Sequence, residues 1–523
     1  VNTIKAAAVI FVLAIMVAGA GWLDRQAVPQ RARAMRPPVA AHLLGSVVMG
    51  WLWLLWFGLS ARPFFAAAAA LATLAVFVLI SRVKHAYLRE PLVFSDLGFL
   101  PTLLRHPDLF YLGRASAAGL GLAVIVLGGL IAAWTSVEPS DLGGAAQLAA
   151  LALALLAAAG FALRPAGLAG ILVSLEKPLM ETPANVFVGT LGLSVSLVAG
   201  FVFWRRDGKR AGPGGMAGVP AGESPYRAVI ILQAESFADL RREGVPLDLP
   251  NLDRLRRGAM AHGRLEVSCY GAYTHRSEVE MLTGVPFARQ RMDRFDPYLR
   301  PQKLAPASLA RALGGAGWRT VFLHPHDARF FRRDRAIPRL GFARFIGEEA
   351  FAPGDRFGPY VGDRAVARRI VEEIRAASTA DEPLFLMSVS MEAHDPYGPG
   401  RLSGIADPVQ QYARHLANAD AMLGTVAAAL DALTDRSLLV FYGDHAPILP
   451  GHEGLADDTA TDYLVLECGW TAKQSARTSS TCSPAGINGL LRSLLAAGRQ
   501  PATGRGVPVG RATTSMMRST MEK

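Results

Sequence analysis

Three cysteines in 523 residues are too few for a disulfide framework; Cys468 and Cys482 could pair in an oxidising compartment, leaving Cys269 odd. Charge is also scarce, at 19% against the ~25% usual for a soluble chain. The deficit is confined to residues 1–204, which consist of long apolar stretches, whereas residues 205–523 have the composition of an ordinary globular domain. Acidic residues are the scarcer charge, 43 against 54 basic ones, for a formal net charge of +11. Such an excess could suit nucleic acid, but the basic residues are dispersed and many flank apolar stretches. Anionic lipid headgroups are the better partner, and nucleic acid is not expected. Oligomeric state has no signature in the sequence.

Six stretches approach the ~20 apolar residues of a membrane-crossing helix: 6–23, 41–60, 63–81, 116–134, 145–163 and 186–204. The first has no small-residue cleavage site and is followed by further spans, so it reads as a retained helix. The last contains Gly and Ser, but Phe187, Phe201, Phe203 and Trp204 near its ends suit the membrane interface. Arg25, Arg31, Arg33 and Arg36 follow the first span, and Arg82, Lys84, Arg89, Arg105 and Arg114 mark the loop after the third. The second loop has only Arg62 and the fourth has no basic residue. Positive charge concentrates in cytoplasmic loops, so the odd loops are expected in the cytoplasm. Six spans then put the rest of the chain on the extracytoplasmic side of a bacterial inner membrane. Arg205, Arg206, Lys209 and Arg210 oppose that placement, and five spans would reverse it.

Residues 205–226 are rich in Gly and Pro without periodicity and read as a linker; residues 227–500 read as one catalytic domain and 501–523 as a polar tail. Four apolar runs, 228–232, 320–323, 384–389 and 437–442, have strand character. Helical patterns such as 307–313, 364–377 and 411–433 lie between them. Continuous apolar strands alternating with helices predict an α/β domain with a mostly parallel sheet covered on both faces. Each run ends in a polar cluster: Gln233-Ala-Glu235-Ser236, His324-Pro-His326-Asp327, Glu392-Ala-His394-Asp395 and Gly443-Asp444-His445. Sites in open α/β sheets lie beyond the carboxyl ends of the strands, so the four clusters should converge.

Glu235, Asp444 and His445 offer two carboxylates and an imidazole, a ligand set for Mn²⁺, Mg²⁺ or Zn²⁺. A nucleophile is available in Cys269-Tyr-Gly-Ala-Tyr-Thr274-His-Arg-Ser-Glu278, where Thr274 follows a glycine-containing loop and precedes a helical pattern. Capping that helix would alone explain the threonine. Alternatively, a metal on Oγ would lower the hydroxyl pKa while the helix start holds a phosphoryl group.

Taken together, Glu-Ser-Phe at 235–237, Tyr-Thr-His-Arg-Ser-Glu at 273–278 with Leu-Thr-Gly at 282–284, His324 with Phe331-Arg-Arg-Asp334, His394-Asp-Pro-Tyr397 and Gly-Asp-His at 443–445 resemble the lipoteichoic acid synthase and phosphoglycerol transferase family. That family belongs to the alkaline phosphatase-like superfamily, and Leu92-Val-Phe-Ser-Asp96 in the membrane half is similar too. The resemblance implies one divalent ion, Mn²⁺ before Mg²⁺ or Zn²⁺, held by Glu235, Thr274, Asp444 and His445, with Thr274 as nucleophile. It implies that His324, Arg333 and His394 touch the phosphate and glycerol parts of the substrate. Without it, Arg333 is one of a run of arginines (329, 332, 333, 335) that solvation would explain. Phe331 stands where the family commonly has an indole, and Arg332 where it has an amide.

The implied reaction takes phosphoglycerol from phosphatidylglycerol, a lipid donor, through Thr274 to an extracytoplasmic glycan or polymer. Phosphoethanolamine transfer is the alternative, although its enzymes tend to carry more cysteines. Hydrolysis of phosphate or sulfate esters is another, but the formylglycine motif, Cys or Ser followed by x-Pro/Ala-x-Arg, does not fit Cys269-Tyr-Gly-Ala-Tyr273. A non-catalytic membrane-bound binding domain would leave the intact ligand set unexplained.

Overall fold

A computed structural model describes residues 2–33, 37–99, 128–163, 182–210, 224–452, 458–469 and 479–496, with single positions at 172, 176, 180, 212 and 455. The expected polar tail and most of the expected linker lie outside these residues, as does most of the fourth expected span.

Four helices are long and apolar enough to cross a membrane: Thr3–Ala27, Val39–Ser60, Pro63–Leu88 and Gly144–Leu163. A shorter apolar helix, Gly128–Val137, covers the end of the fourth expected span. At one end of the bundle Lys5 pairs with Asp141, and the Glu138 carboxylate accepts from the Phe64 and Phe65 amides at 2.9 and 2.8 Å. At the other end Ser81 Oγ donates to the Ala27 carbonyl at 3.1 Å, and Asn185 Nδ2 to that of Arg89 at 3.0 Å.

The last expected span is a pair of helices, Ala184–Leu191 and Leu193–Asp207, that turn through 117°. The turn is at Gly192, φ 82°, where a Cβ would lie 2.4 Å from Asp24 Oδ2. That carboxylate accepts from the Ser194 amide and hydroxyl, both at 2.8 Å. The first helix starts beside Arg89, and the second ends at Asp207, which accepts from Arg291 Nε of the C-terminal domain at 2.9 Å. Both outer ends of the pair therefore sit on one face of the bundle, so the pair is not the straight sixth traverse that hydropathy suggested.

The described parts of the two odd loops, residues 25–33 and 82–99, lie on that face too, where the charge count had put them opposite the C-terminal domain. The correction has a physical cause. Lys84 is engaged in ion pairs rather than left to report orientation, with Glu90 at 2.9 Å and Asp96 at 2.7 Å; after the last expected span, Arg206 likewise pairs with Glu176.

The C-terminal domain is built on a seven-stranded sheet in the order β2-β9-β8-β1-β7-β3-β4. Its strands are β1 Ala228–Ala234, β2 Ala261–Leu265, β3 Arg319–Leu323, β4 Arg344–Ile346, β7 Leu384–Val389, β8 Ser437–Gly443 and β9 Thr461–Cys468; β5 Arg356–Phe357 and β6 Tyr360–Val361 form a separate ribbon. The four expected strands are its centre, β8-β1-β7-β3, and are parallel to one another. Alternate residues serve two cores. Ile230, Leu232, Leu386 and Phe441 pack under one layer of helices, and Val229, Ile231, Phe385 and Val440 under the other. Each such burial contributes ~1.5–3 kcal/mol, and burial on both faces is why these runs show no polar alternation. The expected helices appear as Leu309–Gly315, Asp363–Thr379 and Pro408–Asp431. The last opens with Asp407 accepting from the Gln410 amide at 2.8 Å, an N-cap. Antiparallel β9 and β2 extend the sheet beyond β8.

All three cysteines are free, so Cys468 and Cys482 do not pair.

Candidate active site

The carboxyl ends of β1 and β8 lie side by side, with Ala234 in register with Gly443, so the next residues of both strands meet. After β1 the chain reverses at Ser236, whose φ is 52°. This brings the Ser236 amide to Asp444 Oδ1 at 2.8 Å and its hydroxyl to Glu235 Oε1 at 2.8 Å. Ser390, just beyond β7, accepts the Glu235 amide at 3.1 Å. Gly443 is still part of its strand. Its role is close approach, since a Cβ there would sit 1.8 Å from the Phe237 carbonyl oxygen.

One ligand atom from each of Glu235, Asp444 and His445 falls within 4.8 Å of the others, and all three residues are buried. His445 Nδ1 lies 3.2 Å from the Ala446 carbonyl, so the proton of the neutral ring belongs there. Its Nε2 lone pair is then aimed at Glu235 Oε1, 3.3 Å away, and Asp444 Oδ2, 3.5 Å away. Asp444 Oδ2 is buried without a hydrogen-bond partner. Three lone pairs converging on one point repel unless a cation lies among them. Ligands at ~2.1 Å from a shared ion have nearly this spacing, and a backbone carbonyl on the far imidazole nitrogen is the usual support for a metal-bound histidine. The titration behaviour agrees. Burial, then the neighbouring Glu235, push the Asp444 carboxyl up to about 7. Burial opposes charge on His445, but Asp444 and Glu235 outweigh it and raise its pKa. The residues present therefore fit a divalent cation.

Thr274 is the first residue of the helix Thr274–Thr283, and Tyr273, with φ 68° and ψ 37°, occupies the cap position without a side-chain hydrogen bond. Capping therefore does not account for the threonine. Its hydroxyl lies against Asp444 and helps to offset the rise in that carboxyl's pKa. Gln233 Nε2 holds the Thr274 carbonyl at 3.3 Å, and Ser277 Oγ donates to the Asp444 carbonyl at 2.8 Å, so the helix start is fastened to both metal-facing strands.

His324 follows β3, and Arg333 opens the helix Arg333–Arg339 after two left-handed residues, Phe331 and Arg332. The structure brings these two together, with Arg333 Nη1 donating to His324 Nε2 at 3.1 Å. Arg333 also pairs with Glu278, four residues beyond Thr274, and is buried rather than solvated. Burial opposes its charge, yet Glu278 and, more weakly, Glu235 raise its pKa. His394 is half-buried, with Nδ1 2.7 Å from the Asp395 carbonyl. Burial, then Arg333, hold His324 well below its ordinary pKa, and His394 adds to this. Arg333 is the one fixed positive charge of the three and lies within electrostatic reach of Glu235; none of them forms a fourth side of the metal trio.

Sequence reasoning gave no role to Ser236, Ser390 or Glu278, although two of them fall inside the quoted motifs. Glu392 was grouped with the converging clusters but serves as scaffold. It accepts from the Asp363 amide at 2.7 Å and Asn418 at 2.7 Å, and lies 2.9 Å from His415 Nδ1.

Known proteins can be set against this geometry. The sequence profile of the Sulfatase family matches residues 227–482. The capsular polysaccharide biosynthesis protein RkpI of Rhizobium meliloti (strain 1021) is 32% identical over 475 residues, covering 85% of this chain and 86% of that one. A putative cyclic beta-1,2-glucan modification protein of the same organism is 26% identical over 237 residues, 42% of this chain and 36% of its own. Among solved structures, the Streptococcus pyogenes phosphoglycerol transferase GacH has a TM-score of 0.42 at 20% identity, over 52% of this chain and 75% of that one. At the identity and coverage seen with RkpI, the chain belongs to that protein's family, joining a helical membrane half to a domain that the Sulfatase family profile matches.

Proposed function

We propose that the protein is a metal-dependent phosphoglycerol transferase of the bacterial inner membrane. Its catalytic domain, residues 227–500, stands on the extracytoplasmic side, and phosphatidylglycerol is its donor. The observation that carries this reading is the convergence of Glu235, Asp444 and His445 within 4.8 Å beside a threonine hydroxyl that caps nothing. Glu235, Thr274, Asp444 and His445 would hold one divalent ion, Mn²⁺ before Mg²⁺ or Zn²⁺, because two carboxylates and a hydroxyl make an oxygen-rich set. When bound, the cation supplies charge neutralisation at the Thr274 oxygen and the phosphate.

Thr274 Oγ attacks the phosphorus of the donor, and the bond from phosphorus to the diacylglycerol oxygen breaks. The hydroxyl proton of Thr274 ends on that oxygen, and the phosphoglycerol group remains on Thr274. A hydroxyl of the acceptor then attacks phosphorus, the bond to Oγ breaks, and the acceptor's proton ends on Thr274. Arg333 has five N–H donors. Three are engaged by Glu278 and His324, leaving two for a phosphate oxygen. His394, half-buried at the rim, suits a polar headgroup. The membrane half supports a lipid donor. The names of the two curated relatives, capsular polysaccharide biosynthesis and cyclic glucan modification, support a glycan acceptor.

The test uses the full-length protein with Mn²⁺ and vesicles of phosphatidylglycerol or phosphatidylethanolamine. Diacylglycerol should be released from the former, and the peptide containing Thr274 should gain the mass of phosphoglycerol when acceptor is withheld. Release from phosphatidylethanolamine alone would reassign the donor, and release without any adduct would replace transfer through Thr274 by direct hydrolysis.

A further inference from the structure

The residue before the proposed nucleophile is in a conformation that needs outside support. Tyr273 has φ 68°, a region disfavoured for bulky side chains that persists only where the surroundings over-determine it. The support comes from the membrane half. Tyr273 Oη donates to Asp96 Oδ1 at 3.1 Å. Its ring lies under the Arg276 guanidinium at 3.9 Å and within 5.2 Å of Lys84 Nζ. Arg276, in the first turn of the Thr274 helix, is 1% exposed and forks onto Glu90 at 2.8 and 3.1 Å. Its remaining bonds, at 3.3 and 3.1 Å, go to the Phe295 carbonyl. Lys84 ties Glu90 to Asp96 at 2.9 and 2.7 Å, so one cation joins both supports at the end of a membrane helix.

The same loop reaches the second left-handed pair of the site. Arg332 Nη2 donates to the Gly98 carbonyl at 2.8 Å and Nη1 to Asp296 at 2.8 Å. Phe331 stacks on His275 at 4.1 Å and meets Phe99 edge-on at 5.6 Å.

We propose that the loop from Glu90 to Phe99 is a working part of the catalytic centre, in which Glu90 through Arg276 and Asp96 through Tyr273 are positioning residues that aim the Thr274 hydroxyl. This rests on Thr274 being the nucleophile. The membrane half then does more than hold the domain near lipid, because it completes the nucleophile's geometry.

The experiment uses full-length protein in phosphatidylglycerol vesicles and follows turnover, KM for the lipid, Mn²⁺ affinity and the rate at which the Thr274 peptide is labelled. Asp96→Asn and Tyr273→Phe should each lower kcat and the labelling rate by on the order of a hundredfold, the scale of a misplaced reacting group, with KM and Mn²⁺ affinity within about twofold of wild type. Tyr273→Phe removes only the bond to Asp96, whereas Asp96→Asn also loosens Lys84 and the Val93 amide, so the double variant should be no slower than Asp96→Asn alone. Glu90→Gln should act in the same direction, and since it strands a buried guanidinium, the milder Tyr273→Phe keeps the test decisive if that variant does not fold. Wild-type kcat in Asp96→Asn and Tyr273→Phe, with Thr274→Ala inactive, would overturn the positioning role alone. Losses that add, or that appear in KM or thermal stability with labelling unchanged, would reduce the loop to a docking contact. Full activity in Thr274→Ala would overturn the nucleophile and the proposal with it.

Discussion

Arg333 Nη1 donates to His324 Nε2 at 3.1 Å while His324 Nδ1 faces the Val389 carbonyl at 3.0 Å, which fixes the imidazole as its neutral Nδ1–H tautomer. Arg333→Lys keeps the charge but loses the fork. It should lower turnover by on the order of a hundredfold and leave Mn²⁺ affinity unchanged, as steady-state kinetics and a metal titration would show. Arg333→Ala strands the buried Glu278 and should cost ~3–5 kcal/mol of stability, measured by thermal unfolding.

At Gly443 a methyl group would meet the Phe237 carbonyl oxygen at 1.8 Å. Gly443→Ala should destabilise the domain by ~1–3 kcal/mol and weaken metal binding, because Asp444 and His445 follow directly. A variant with wild-type melting temperature and metal content would contradict the close approach.

Thr274→Ala should cost less than the ~1 kcal/mol of a lost N-cap, because Tyr273 holds the cap position, yet reduce turnover by several orders of magnitude. Thr274→Ser should retain part of the activity. Parallel melting curves and turnover assays separate the two effects.

Metal dependence should grow with pH. In the absence of a cation the Asp444 carboxyl is pushed up to about 7 from its ordinary 3.8. The stability this group contributes is complete below its unfolded pKa and is lost as pH rises through about 7. The raised His445 changes stability in the same direction. A bound cation keeps the carboxylate ionised and removes the penalty, so the gap in melting temperature between Mn²⁺-loaded and chelator-treated protein should widen from pH 5 to pH 8. A constant gap would mean that Asp444 is not a ligand. Chelation should abolish activity and Mn²⁺ restore it.

A reporter fused after Lys209 should be active outside the cytoplasm, and one fused after Ser140 should be active inside it. The second outcome distinguishes the arrangement in the structure from one in which the Arg-rich loops face the cytoplasm, since Asp141 pairs with Lys5 at the end of the bundle away from the catalytic domain.

The sheet's centre was legible because strands buried on both faces leave unbroken apolar runs, and the polar residues after Ala234, Leu323, Val389 and Gly443 could only mark strand ends. β9, with Tyr463-Leu-Val-Leu466, is as apolar but leads to no polar cluster, so it did not stand out. The ligand trio was legible because Asp and His side by side in an apolar setting require a counter-charge. The orientation of the odd loops was not. Counting positive charge assumes free side chains, whereas Lys84 is paired with Glu90 and Asp96, and Glu90 also answers Arg276 across a domain boundary that sequence spacing does not reveal. The departures at Phe331 and Arg332 have a use visible only in three dimensions, since both face the membrane loop.

The bond between the Ser236 amide and Asp444 spans 208 residues of chain. Closing so long a loop is entropically costly and slow, and the cation's ligands come from both ends of it. A metal therefore cannot seed folding here as it does in a zinc finger, where neighbouring ligands are organised early. Glu235, Asp444 and His445 come together only when the sheet is assembled from β1 to β8. With the catalytic domain on the extracytoplasmic side, as proposed, loading would then take place after export, from the ions available outside.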